Sequence, residues 1–101
     1  MIELEFQNNG SLQMHVECNK YNATVEFYGK NYVTNTDDHV IIKNIYFNDL
    51  ILPELFEFSA MSTDNDEYAY LTNVNYVSFN GTWHLTFTEE DVKEILRKKL
   101  T

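Results

Sequence analysis

The stretch Leu12-Gln13-Met14-His15-Val16-Glu17-Cys18, continued across Asn19-Lys20-Tyr21-Asn22 by Ala23-Thr24-Val25-Glu26-Phe27, decides the class of fold. Apolar side chains stand at every second position on both sides of a polar turn, and a period of two marks strands with one face buried. The turn sets Cys18 opposite Ala23, Val16 opposite Val25 and Met14 opposite Phe27. A slip of one residue would send one apolar set to solvent, so this register is strongly specified.

Working upstream, Ile2, Leu4 and Phe6 alternate with Glu3 and Glu5. A three-residue loop with Gly10 as the left-handed residue of a bulge would set Phe6 opposite Leu12, Leu4 opposite Met14 and Ile2 opposite Val16. The outer face of that three-stranded meander would carry a row of Glu3, His15 and Glu26. Glu5, Gln13 and Tyr28 would form the next row, and Glu17 would lie beside Thr24.

Downstream, Gly29 marks a turn or bulge, and residues 34 to 39 read as a polar turn. Residues 40 to 47 are apolar on both parities, which fits a strand covered on both faces first and a buried helix second, since periodicity does not separate the two. Pro53 suits either the start of a short helix or an edge strand, and residues 62 to 67 form a polar, acidic loop. Asn80-Gly81 has the composition of a type I′ hairpin turn, which would join residues 68 to 79 to residues 82 to 87, with Tyr76 opposite Leu85 and Val74 opposite Phe87. Trp83, Leu85, Phe87, Val74 and Tyr76 would then share the core face.

Thr88 reads as a helix N-cap with Asp91 as its capping-box partner, and Glu89 and Glu90 suit the positive end of the helix dipole. Arg97, Lys98 and Lys99 suit the negative end. Val92, Ile95, Leu96 and Leu100 make one apolar stripe. The sequence therefore predicts an α+β fold: a mainly antiparallel, curved β-sheet built as a meander of hairpins, with about six to seven strands and one C-terminal α-helix packed on it. Residues 1 to 101 are expected to form a single domain.

The chain carries 16 acidic and 7 basic residues, a net charge of −9. Twelve of the acidic side chains lie in residues 1 to 88 against Lys20, Lys30 and Lys43, whereas residues 89 to 101 hold four of each sign. The whole excess sits on the β portion. Such a surface repels nucleic-acid phosphates and anionic membranes and attracts cationic surfaces. Cys18 is the single cysteine, which excludes an internal disulfide, and its parity makes it a core residue rather than a nucleophile. No basic leader and no membrane-length apolar run occurs, so the sequence reads as cytoplasmic with no membrane partner.

No catalytic or phosphate-loop signature is present, and Arg97 is the only arginine, so neither a cofactor nor a metal is expected. Asp64, Asp66 and Glu67 lack the spacing of a calcium loop. In its small size, missing catalytic signature and acidic sheet surface, the chain resembles the inhibitors carried by phages and mobile elements, anti-CRISPR proteins and DNA mimics among them. That resemblance is one of character and rests on no motif.

It implies a non-enzymatic inhibitor whose carboxylates occupy a basic surface of a nucleic-acid-binding protein or nuclease. The contact set would be Glu3, Glu5, Glu17, Glu26, Tyr28, Asp64, Asp66 and Glu67. Three alternatives stand beside it: an immunity protein neutralising a toxin, a small enzyme or ligand-binding module with a pocket near residues 48 to 67, and a structural assembly subunit.

Overall fold

The computed structural model describes residues 1–30, 33, 38–63, 71–72 and 75–100, with the side chains of 71–72 left aside. The strands divide into two antiparallel sheets around one core. The first, four-stranded sheet holds β1 (Ile2–Asn9), β4 (His39–Phe47), β5 (Leu50–Ile51) and β8 (Tyr76–Val77), with β1 along one side of β4 and the two short strands along the other. The second, five-stranded sheet runs β2 (Gln13–Cys18), β3 (Asn22–Tyr28), β9 (Gly81–Thr86), β6 (Ser59–Thr63), β7 (Leu71–Thr72). The expected α+β class with dominant antiparallel pairing is the one observed.

The β2–β3 hairpin has the register read from its alternation, with Cys18 facing Ala23, Val16 facing Val25 and Met14 facing Phe27. The other two expected hairpins do not form. β1 pairs with β4, Ile2 facing Phe47 and Leu4 facing Ile45, and the chain crosses to the second sheet at Gly10. That glycine does take a positive φ of 136°, but it serves a crossing between sheets. Its missing Cβ makes room for the Asp38 side chain, whose carboxylate accepts the Ser11 amide at 2.8 Å and the Ser11 hydroxyl at 2.5 Å. Those bonds hold the Asp38 carboxyl below its ordinary range, helped by Lys30 and His39. Alternation obliges Ile2, Leu4 and Phe6 to face the same core as Met14 and Cys18, and two strands can do so from opposite sheets as well as from one.

Asn80-Gly81 fails as a type I′ turn for a local reason. That turn needs positive φ at both central residues, whereas Gly10 and Gly29 are the only glycines with positive φ. β9 instead lies between β3 and β6, with Gly81 facing Phe27 on one side and Thr63 on the other. A Cβ on Gly81 would run into the Ser62 carbonyl oxygen, so this glycine permits a close approach of strands. Tyr76 and Val77 pair with Ile41 and Val40. Val77 is fully buried while Tyr76 is half exposed, which reverses the expected faces. The expected pairing of Val74 lies outside the described residues.

Strand β4 is apolar on both parities because it changes parity. Its pairing with β1 shifts between Glu5 and Phe6, leaving Lys43 as the extra residue of a bulge. Val40 and Ile42 point inward before it and Ile45 and Phe47 after it, while Lys43 is exposed. The strand is therefore covered on one face rather than two. A two-residue turn follows at Asn48 and Asp49, both at positive φ (49° and 71°), so β4 and β5 make the type I′ hairpin that the sequence reading placed elsewhere. Pro53 opens a 3-10 helix over Pro53–Phe58, which contacts both β4 and β9.

One apolar cluster joins the two sheets, Ile42, Ile45 and Val40 from the first meeting Val25, Phe27, Trp83, Leu85 and Met61 from the second. Each such fully buried large side chain contributes about 1.5–3 kcal/mol of transfer free energy. At one end, Tyr21, Phe47 and Phe87 pack ring against ring with centroids 5.6 to 6.0 Å apart. Helix α1 (Glu89–Lys99) starts on a complete capping box between Thr88 and Asp91 and adds Val92 and Ile95 to the core. Leu96 packs against the cluster's margin, but Leu100 is exposed, so the apolar stripe is one residue shorter than its spacing suggested.

Candidate functional site

The eight residues proposed from sequence as a contact surface are not one surface. Glu3 and Glu5 lie on the outer face of the first sheet. Glu17, Glu26 and Tyr28 lie on the outer face of the second, on the far side of the core. Asp64, Asp66 and Glu67 lie outside the described residues. All five described members are solvent-exposed. The expected row of Glu3, His15 and Glu26 is broken because Glu3 faces Tyr46. His15 does face Glu26, but its Nε2 lies 3.2 Å from Glu17 Oε1 on its own strand.

The outer face of the first sheet mixes acid with aromatic and aliphatic surface. Pairing brings Glu3, Tyr46 and Ile51 into one row, Glu5 and Asn44 into the next, and Gln7, Ile41 and Tyr76 into a third. Glu5 Oε1 accepts a hydrogen bond from Asn44 Nδ2 at 2.5 Å and lies 3.4 Å from the Tyr46 hydroxyl. Desolvation first, and the Glu5 and Glu3 carboxylates next, push ionisation of Tyr46 above its ordinary range, so it remains a neutral donor. Tyr76 stacks on His39 with centroids 4.7 Å apart, and His39 Nε2 lies 3.0 Å from Asn9 Nδ2. Half of Ile51 and half of Tyr76 remain exposed.

The outer face of the second sheet is more polar by comparison. Its rows are His15, Glu26, Thr82 and Ser62, then Glu17, Thr24, His84 and Ala60. Glu26 and Tyr28 line a shallow depression of about 300 Å³ with Asn80, Gly81 and Thr82.

A second depression, of about 340 Å³, lies between the 3-10 helix and α1, lined by Glu54, Glu57, Ile95, Lys98 and Lys99. Lys99 Nζ meets one Glu54 oxygen at 3.2 Å, and the other oxygen, though buried, meets no donor among the described residues. This depression lies near residues 48 to 67 and is an ion-paired junction between the two helices, its lining two carboxylates, two lysines and Ile95. Cys18 is half-buried against the core, and burial pushes its thiol up. Among the described residues, no cluster of three His, Cys, Asp or Glu side chains could hold a metal ion, and no helix is long and apolar enough to cross a membrane.

Sequence reasoning missed Asn44, Tyr46, Ile51 and Tyr76 as members of an outer face. Two signals point to them. Asn48-Asp49 is a left-handed dipeptide that starts a hairpin, and Lys43 interrupts the apolar run where parity changes. No protein-family model, curated protein or solved structure matches the chain.

Proposed function

We propose that this chain is a small, acidic, non-enzymatic binding protein. In this reading it inhibits a target by occupying a basic, nucleic-acid-binding surface, and its contact is the outer face of the first sheet. The observation that carries the reading is the composition of that face: Glu3 and Glu5 stand exposed beside Tyr46, Ile51 and Tyr76. Carboxylates steer a cationic partner and fix its orientation, while aromatic and aliphatic surface supplies the desolvated centre of a contact. On the outer face of the second sheet, the described carboxylates Glu17 and Glu26 have Tyr28 as their one large aromatic neighbour among the described residues.

The test pairs two charge reversals. Immobilised protein is used to capture basic nucleic-acid-binding proteins, and each captured partner is challenged with salt and with duplex DNA. Glu3→Lys with Glu5→Lys should abolish capture, and Glu17→Lys with Glu26→Lys should leave most of it. Binding that resists salt, coexists with DNA and survives the first pair of reversals would overturn the reading.

A further inference from the structure

Each sheet begins on a strand that, among the described residues, is bonded on one side only: β1 to β4 and β2 to β3. The direction of the free backbone groups on β2 follows from its turn. The Asn19 amide donates to the Asn22 carbonyl at 2.7 Å, so these two form a hydrogen-bonded pair, and no bulge interrupts the pairing beyond them. Gln13, His15 and Glu17 therefore turn their N–H and C=O groups toward β3. Met14, Val16 and Cys18 turn theirs toward the open edge.

The side chains are unfinished in the same place. Val16 shares the inward face with Val25, which is fully buried, yet is itself 40% exposed. Met14 and Cys18 are half-buried against the core cluster, whereas Val16 between them is exposed. The strand also has no proline, lysine or bulge to protect its edge, and its one carboxylate, Glu17, sits across from no like charge in the register that follows.

We infer that a second copy of this chain occupies this edge, the two β2 strands pairing antiparallel about a twofold axis at Val16. In that register Val16 faces Val16 of the second copy, and Met14 faces its Cys18. These are the residues with free backbone groups, so roughly six interchain hydrogen bonds complete the ladder. His15 then faces Glu17 of the second copy twice over, at the non-hydrogen-bonded positions where side chains come closest. Both side chains are well exposed in the single chain, at 66% and 74%, and available to exchange partners.

The same construction fails on β1. The Asn48 amide donates to the Met1 carbonyl at 3.2 Å, which leaves Ile2 and Leu4 with outward backbone groups, and a twofold axis at Leu4 would set Glu3 against Glu5 of the second copy. Like charges at that position oppose pairing. The His15–Glu17 hydrogen-bonding pair on β2, set against the Glu3–Glu5 repulsion on β1, selects β2 as the self-pairing edge.

Each copy carries a net charge of −9, which opposes association at long range. At physiological ionic strength the screening length is about 8 Å, so salt relieves the repulsion between whole molecules more than it weakens contacts within the ladder. The dimer should tighten as salt rises from low to physiological, the reverse of what the acidic face should show toward a cationic target. One strand pairing buries less than a standard interface, so the dissociation constant should be roughly 10 to 100 µM.

Sedimentation velocity of the full chain, under reducing conditions and from about 1 µM to about 1 mM, should show a monomer–dimer equilibrium in that range. Amide exchange followed by NMR should show Met14, Val16 and Cys18 gaining protection with concentration, while Gln13, His15 and Glu17 are protected throughout. His15→Glu should weaken the dimer by about tenfold or more, and His15→Glu with Glu17→Lys should restore it. Val16→Pro should abolish it, since it removes an amide that does not bond β3, with Trp83 fluorescence reporting whether the fold persists. The inference is overturned by a chain that stays monomeric at the highest concentration, by a dimer indifferent to His15→Glu, or by concentration-dependent protection at Ile2 and Leu4 instead. The charge pair decides the matter even if the proline variant does not fold.

Discussion

Replacing Gly81 by alanine adds one methyl group where β9 runs closest to β6. The new Cβ would collide with the Ser62 carbonyl oxygen and would lie 3.1 Å from both Met61 Cε and Thr63 Cα. The Met61 methyl can swing aside, but the two backbone atoms belong to a ladder in which Thr63 faces Gly81 and Ser62 faces Thr82. On the other side β3 holds Gly81 against Phe27, so β9 cannot retreat without breaking a second ladder. Overpacking of this kind costs about 1–3 kcal/mol, and fixed backbone obstacles put this site at the upper end.

Acting against it, loss of glycine freedom in the unfolded chain stabilises by about 0.4–1 kcal/mol. The net is a destabilisation of about 2 kcal/mol, a large share of the roughly 5–15 kcal/mol typical of a domain. Urea unfolding followed by Trp83, the single tryptophan and fully buried, should show a midpoint lower by about 1–1.5 M for a slope near 1.5 kcal/mol per M. Gly81→Asn separates the two meanings of this glycine. Asparagine tolerates a left-handed turn but is larger than alanine, so it should be worse than alanine here. An unchanged or raised midpoint for alanine, or asparagine outperforming alanine, would refute the close-approach reasoning.

Other consequences are open to measurement. Thr88→Ala removes the capping box and should cost about 1 kcal/mol, seen as a fall in Tm of about 4–8 °C. Ile95→Ala should cost about 2–4 kcal/mol in the same assay, and a change below 0.5 kcal/mol would mean that α1 does not dock as described. Cys18 should react slowly with a thiol reagent in the native chain and quickly in urea. Because burial raises its folded pKa, its neutral form contributes stability below the ordinary value of 9.0, and that contribution is lost as pH climbs through the folded value. Asp38 works in the opposite sense: its lowered pKa contributes stability above the ordinary value of 3.8, lost as pH falls through the folded value. NMR titration should show Ser11→Ala bringing the Asp38 pKa back up.

What alternation could and could not say is visible in particular residues. It placed Ile2, Met14, Val25, Trp83 and Leu85 on inward faces, and all but the half-buried Met14 are fully buried. It read the β2–β3 register and the capped helix correctly because both depend on neighbours within a few positions. It misassigned the partners of β1 and β9. A strand's period records which face is buried and carries no information about which strand supplies its hydrogen bonds. Asn80-Gly81 misled for a related reason, since a glycine suits a turn and a crowded ladder equally well. The contact surface suffered most. Glu3 and Glu17 were each correctly turned outward, but exchanging a hairpin for a crossing at Gly10 put them on opposite sides of the molecule.

That crossing also governs how the molecule can assemble in time. β1 cannot begin to pair until residue 39 exists or finish until residue 47 does, and β3, interior to the second sheet, waits for β9 at residues 81 to 86 for its second partner. The pairs β2–β3, β4–β5 and β6–β7 are the pieces that can close locally. The rest depends on loop closures of tens of residues, and topologies dominated by such distant pairings fold in milliseconds to seconds rather than microseconds. A nascent or stretched chain would therefore display Ile2, Leu4 and Phe6 as an unclaimed strand for most of that interval. Destabilising β9 should prolong this exposure as well as lower equilibrium stability, and aggregation during refolding should track it.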